Sequence, residues 1–133
     1  YMSFKSRVKS YYAALRDGDP LGEFFADEAS IVKFGISDRL TGGDQIREGL
    51  RAQTERTEDW VVKSNNLNLY DAGCHACFSD EVQLGWTDTV QQERYQFDTR
   101  WSGTLELRMP RNESTGNAPI FVAMHVSAPQ LFR

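Results

Sequence analysis

The chain lacks most of the features that would assign it by inspection. No apolar stretch approaches the roughly 20 residues of a membrane span. The N-terminal region carries no long apolar segment followed by a cleavage site, so a cytoplasmic protein without a membrane partner is expected. Basic residues are scattered (Lys5, Arg7, Lys9, Arg47, Arg51, Arg56, Arg108, Arg111) and the net charge is −4. Nucleic acid, whose phosphates need a basic stripe, is not an expected partner. Cysteine is scarce, and both copies fall in Cys74-His75-Ala76-Cys77. Thioredoxin-type C-x-x-C motifs open a helix, whereas this one runs into a strand-like segment, Phe78 to Trp86. Positions three apart on a strand face opposite ways, so the sulfurs do not readily close on each other. With no second cysteine pair and the other histidine, His125, far away, no metal site is expected. The two cysteines are read as small buried hydrophobes.

What is present is an ordinary globular composition, 40% apolar and 26% charged, long enough at 133 residues for one domain, 1–133, with its own core. Phe4, Val8, Tyr11, Tyr12 and Leu15 recur at helical spacing between Ser3, a plausible N-cap, and Gly18, a plausible C-cap. Asp19-Pro20 then starts a short second helix presenting Leu21, Phe24 and Phe25. Ala29 to Phe34 reads as a strand and Gly35 to Gly43 as a loop. A third helix is predicted from about Asp44 to Thr57, with Ile46 and Leu50 inward and Arg51–Glu55 as an exposed pair.

After Trp60 the apolar spacing changes to that of strands. Val61–Tyr70, Cys74–Thr87, Glu93–Arg108 and Ile120–Ala128 are the predicted strands, with a polar hairpin loop from Met109 to Pro119. Asn112-Glu113-Ser114 matches a glycosylation acceptor by chance in a cytoplasmic setting. Short turns force antiparallel pairing, and helices followed by a sheet give the α+β class.

Several segments, in this order, carry a resemblance. Val8-Lys9-Ser10-Tyr11-Tyr12-Ala13-Ala14-Leu15-Arg16-Asp17-Gly18-Asp19 resembles the first helix of the ketosteroid-isomerase-like superfamily, which includes nuclear transport factors and SnoaL-like cyclases. Phe24-Phe25-Ala26-Asp27-Glu28-Ala29 is similar to its "LFADDA" stretch, and Thr41-Gly42-Gly43-Asp44-Gln45-Ile46-Arg47 to its "G-x-x-x-I-R" segment. Ala123-Met124-His125-Val126-Ser127 is similar to the "h-x-H-x-S" ending of SnoaL-like members. The resemblance implies a cone: N-terminal helices packed in a strongly curved antiparallel sheet around an apolar interior. It also implies a homodimer through the open sheet face. Fold alone does not assign a function.

Steroid isomerisation in that superfamily needs an Asp base and an oxyanion hole made of a Tyr and a protonated Asp. The resemblance puts Tyr11 at the tyrosine position, but Phe34 at the base and Gly103 near the second acid, so this chemistry is not expected. The remaining polar candidates come from strand alternation. On the closing strand Phe121, Ala123, His125 and Ser127 share one face, and Ile120, Val122, Met124 and Val126 the other. A histidine there is either a satisfied core residue or the polar handle of a pocket, acting as acid or base. Asp80 shares a face with Ala76, Phe78, Val82 and Leu84. It is either a pocket acid or turned outward by a bulge near Ser79.

The expected catalytic set is thus His125, Tyr11 and Asp80. Tyr12, Phe34, Trp86, Thr99, Trp101 and Ser127 are the expected lining of a pocket for a small apolar molecule. The expected activity is that of a lyase, isomerase or cyclase needing no cofactor. The alternative is a non-catalytic small-molecule-binding or dimeric assembly module of the same fold.

Overall fold

A computed structural model describes residues 2–108, 117–130 and 132. The predicted Met109–Pro119 loop and the Asn112 acceptor lie largely or wholly outside the described residues. Helix α1 spans Phe4–Asp17; the Ser3 side chain accepts from the Ser6 N–H, and Gly18, at φ 72°, closes the helix onto the Ala14 and Leu15 carbonyls. The predicted second helix is only a 3-10 turn, Gly22–Phe24, because the chain already returns to extended backbone at Phe25, five residues after Pro20. Helix α2 spans Gly43–Arg56, and Arg51 pairs with Glu55 at 2.6 Å on its exposed side.

The strands are β1 (Val32–Phe34), β2 (Arg39–Thr41), β3 (Thr57–Ser64), β4 (Asn68–Asp71), β5 (His75–Asp88), β6 (Glu93–Arg108) and β7 (Ala118–Ser127). The predicted Val61–Tyr70 strand is therefore two, and the Gly35–Gly43 loop contains the short β2. Sheet order is β2-β1-β7-β6-β5-β3, with β4 on β5. Pairing is antiparallel except between β1 and β7, which run parallel, so the sheet is mixed rather than wholly antiparallel. The two strands are far apart in sequence, and the intervening chain supplies the crossover that parallel pairing requires. The architecture is α+β, two helices against one large, curved, unclosed sheet.

The core lies between the helices and the inner face of the sheet. From α1 come Phe4, Val8, Tyr11, Tyr12 and Leu15, from α2 Ile46 and Leu50, and from the sheet Phe78, Val82, Trp101, Leu105, Phe121 and Met124. Each such side chain contributes about 1.5–3 kcal/mol by leaving water. Arg16 ties the end of α1 to β3 by donating from Nε (3.0 Å) and Nη2 (2.7 Å) to the Val62 carbonyl. Gly103 on β6 is obligatory: a Cβ there would stand 2.5 Å from the Ala123 oxygen and 2.7 Å from the Phe78 ring. That position has no room for the second acid of an isomerase.

One irregularity decides which residues face inward. Leu105 pairs with Phe121 but Thr104 with Ala123, so Val122 is an extra residue, a β-bulge, in β7. A bulge resets the alternation. Phe121, Met124 and Val126 are buried, while His125 is exposed.

Candidate functional site

Strand β5 runs without a bulge, and its inward face is Ala76, Phe78, Asp80, Val82 and Leu84, as the alternation predicts. Asp80 is therefore buried. It accepts three hydrogen bonds: from the Tyr12 hydroxyl (2.8 Å), the Ser64 hydroxyl (2.5 Å) and the Asn66 N–H (2.9 Å). Burial and the hydrogen bond to Asp80 push the Tyr12 phenol well above its usual range. This cluster joins α1, β3 and β5 and is closed upon itself. Its chemistry is structural.

The corresponding group on β1 is different. Val32 and Phe34 face away from the helices, and Lys33, between them, faces inward at 6% exposure. Among the described residues its Nζ has no hydrogen-bond or ion-pair partner. Burial pulls its ammonium below the ordinary lysine value, and the Asp38 carboxylate opposes this. Asp38 sits in the β1–β2 turn, where its Oδ1 accepts from the Gly35 N–H at 3.1 Å.

Lys33 and Asp38 line a half-open cavity of about 140 Å³ together with Tyr11, Gln53, Leu84, Val126 and the tryptophans Trp60, Trp86 and Trp101. These three are every tryptophan in the chain. Two are held by paired relays. Trp101 Nε1 donates to Thr99 Oγ1 (2.9 Å), which donates to the Val82 carbonyl (2.6 Å). Trp60 Nε1 donates to Thr57 Oγ1 (2.8 Å), which donates to the Gln53 carbonyl (2.6 Å). Trp86 stacks on Trp60 at 4.9 Å between centroids. Tyr11 is fixed by edge contacts to Phe24, Phe25, Phe121 and Trp101. Among the described residues its hydroxyl, like Lys33 Nζ, has no hydrogen-bond partner, but neither atom is sealed from the cavity; the one fully buried side-chain polar atom without a partner is Arg7 Nε. Burial pushes this phenol well above its usual range, so it stays protonated and able to donate.

Of the residues expected at the site, Tyr11, Trp86 and Trp101 meet at this cavity, and Thr99 supports Trp101 from behind. Asp80 and Tyr12 are inward but engaged with each other. His125 and Phe34 are corrections: they are neighbours on the outer face, ring centroids 5.4 Å apart, and Phe34 is 40% exposed. Ser127, two residues past His125 and opposite Arg100, is half-buried on that same outer side. The reason in each case is strand phase, set by the Val122 bulge on β7 and by Lys33 rather than Phe34 facing inward on β1. Lys33 shares a face with the buried Ile31 two residues earlier, a phase that the short β1 leaves unmarked in the sequence. Cys74 and Cys77 are exposed free thiols rather than the small buried hydrophobes expected, because Cys74 precedes β5 and Cys77 lies on its outer face. Among the described residues no cluster of potential ligands could hold a metal, and no helix is long and apolar enough to cross a membrane.

A second, larger cleft of about 410 Å³ lies between the end of α1 and the start of β3, and shares Leu15, Thr57 and Trp60 with the first. Its rim is Asp17, Asp19, Glu58 and Asp59, and its one guanidinium, Arg16, is engaged on Val62. The smaller cavity, lined by the buried Lys33 and by Tyr11 and all three tryptophans, is the better candidate.

The mixed sheet wrapped around α1, with the interior opening beside Trp60, defines the cone of the nuclear transport factor 2-like and ketosteroid-isomerase-like superfamily. The chain belongs to the SnoaL-like domain family, whose pattern it matches over residues 5–111. Similar solved structures share the fold at low identity. A nuclear transport factor 2-like superfamily protein from Salmonella enterica serovar Typhimurium is 16% identical, with a TM-score of 0.76 over 94% of this chain and 87% of that one. A nuclear transport factor 2-like protein of unknown function in nutrient uptake from Rhodospirillum rubrum is 14% identical, with a TM-score of 0.76 over 97% and 100%. A ketosteroid isomerase-like protein from Erwinia carotovora atroseptica is 13% identical, with a TM-score of 0.71 over 96% and 94%. No protein of curated function matches the chain in sequence.

Proposed function

We propose that this SnoaL-like domain binds a compact, largely apolar molecule bearing an oxygen acceptor in the Tyr11–Lys33 cavity. We propose that it acts on this molecule as a lyase, isomerase or cyclase without a cofactor. The observation that carries this reading is the meeting of two largely buried residues, Tyr11 and Lys33, at one aromatic cavity, with neither the phenol oxygen nor the amine hydrogen-bonded to another described residue. Both groups are reachable from the cavity, so a ligand oxygen can take the place of water on them, each such hydrogen bond contributing about 0.5–1.5 kcal/mol. The volume sets the size. A cavity of about 150 Å³ accommodates benzene, and this one, at about 140 Å³, suits a single ring or a short chain. In such a complex Tyr11 donates to the ligand oxygen where negative charge develops, and Lys33 holds or takes the proton in transit.

The three tryptophans at the cavity make intrinsic fluorescence its natural reporter. Titration with small aromatic ketones and alcohols is expected to give a saturable change, weakened about 3–10-fold by Tyr11→Phe, the value of one hydrogen bond. Product formation from a bound ketone, diminished in Tyr11→Phe, favours the enzyme. Saturable binding without turnover across such compounds favours the binding module. No saturable signal, or one lost in His125→Ala and kept in Tyr11→Phe, contradicts the assignment of the site.

The outer face supports a further part of the reading, a homodimer through the open sheet. Phe34 is 40% exposed there, beside His125 and within 5.9 Å of the Arg39 guanidinium. Light scattering is expected to give twice the monomer mass, with Phe34→Glu shifting the equilibrium to monomer.

A further inference from the structure

We propose that Lys33 is a nucleophilic amine that condenses with small aldehydes and unhindered ketones entering the cavity, giving an imine on this chain. The inference rests on the cavity being the ligand site and adds the substrate class and the covalent step. Placement is the first argument. Lys5, Lys9 and Lys63 are exposed, and Lys33 alone is buried. Its backbone is fixed between two strands, opposite Leu40 on β2 and Met124 on β7, so the amine is presented at a defined point. The second is the missing partner. Among the described residues Nζ, which is open only to the cavity, has no hydrogen-bond or ion-pair partner, and Asp38, the one carboxylate acting on it, is anchored to Gly35.

An amine without such a partner is better accommodated neutral, with its lone pair free. Burial lowers the Lys33 pKa in the same direction. Desolvated lysines of this kind are the ones that form Schiff bases.

The step balances without any co-reactant. The Nζ lone pair forms the N–C bond as the carbonyl π pair moves to oxygen. The two nitrogen protons leave with that oxygen as one water, and a C=N bond remains. Tyr11, protonated and unpartnered in the same cavity, is the group placed to donate to the departing oxygen. The aromatic walls limit the water available to reverse the reaction, and the volume selects benzaldehyde-sized carbonyl compounds over bulky ones.

The test is reductive trapping on the full chain at pH 7, with benzaldehyde and cyanoborohydride, followed by peptide mapping. The expected result is one benzyl group per chain, on Lys33 in preference to Lys5, Lys9 and Lys63 by at least about tenfold, as for an amine with a larger neutral fraction. Lys33→Arg, which keeps a cation but cannot form the imine, is expected to abolish this label with the far-ultraviolet circular dichroism of the chain unchanged. Tyr11→Phe is expected to slow trapping without moving its position. Label spread over the exposed lysines with Lys33 unmodified overturns the inference. If benzyl alcohol still binds in that case, the site stands and only the covalent step fails. If it does not bind, both fail.

Discussion

Two ionisable side chains are buried on the inner face of the sheet, Asp80 on β5 and Lys33 on β1, and their surroundings are opposite. Asp80 receives three donors from three elements and nothing about it is left to satisfy. Among the described residues Lys33 Nζ finds no acceptor, and it faces a cavity with a second group lacking a protein partner, Tyr11. A finished network specifies the fold, since removing any member orphans the others. An unfinished one costs stability and makes sense where a ligand completes it. Burial of a charged residue type is therefore not by itself the mark of a site; lack of a partner is what separates the two.

The sharpest way to break this contrast is to delete each member and compare signs. Asp80→Ala orphans the Tyr12 hydroxyl, the Ser64 hydroxyl and the Asn66 N–H, and is expected to cost about 3–5 kcal/mol in chemical denaturation. Lys33→Met is expected to act in the other direction, stabilising by about 1–2 kcal/mol at pH 7, because an apolar chain of similar length replaces an uncompensated amine. The pH dependence follows from the lowered Lys33 pKa. Between the folded-state value and the ordinary 10.5, the unfolded chain holds the proton and the folded one does not, so wild-type stability rises with pH. The advantage of Lys33→Met should accordingly shrink as pH approaches that ordinary value. A constant gap would mean that Lys33 is not desolvated in the folded state.

Tyr12→Phe removes one of the three donors on Asp80 and is expected to cost about 1 kcal/mol. It also removes one source of alkaline sensitivity. A phenol whose pKa is raised on folding contributes fully below its ordinary value of 10.0 and loses that contribution as pH rises beyond it. Denaturation curves of Tyr12→Phe should thus be flatter above pH 10 than those of the wild type. The smallest effect belongs to His125→Gln, within about 0.5 kcal/mol in stability, as for an exposed position, and without change in cavity binding. A large loss of binding in that variant would restore the outer-face histidine as the centre.

The fold was legible because its signals are local and redundant. Ser3 and Gly18 bracket the apolar spacing of α1, and a 16-residue alternation marks β6. Alternation puts Asp80 on the face of Ala76, Phe78, Val82 and Leu84 but leaves open a bulge near Ser79 that would turn it outward; β5 keeps its phase from Ala76 to Leu84, so no bulge intervenes. The site was harder because it depends on single-residue phase in the two strands that pair in parallel, β1 and β7. The extra Val122 carries no sequence mark, and it moves His125 and Ser127 from inside to outside. On β1 a three-residue strand gives alternation too few positions to favour Lys33 over Phe34, and an aromatic ring is the more usual cavity wall. Nor does any spacing rule connect Lys33 to Tyr11, which meet only through the crossover that brings β1 beside β7.

The measurement that bears most directly on the contrast between the two faces is the set of nuclear Overhauser contacts made by bound acetophenone. The account predicts contacts to the rings of Tyr11, Trp86 and Trp101 and to the Lys33 side chain, with none to Phe34 or His125. Contacts to the Phe34–His125 pair instead, with the cavity side chains unperturbed, would contradict it.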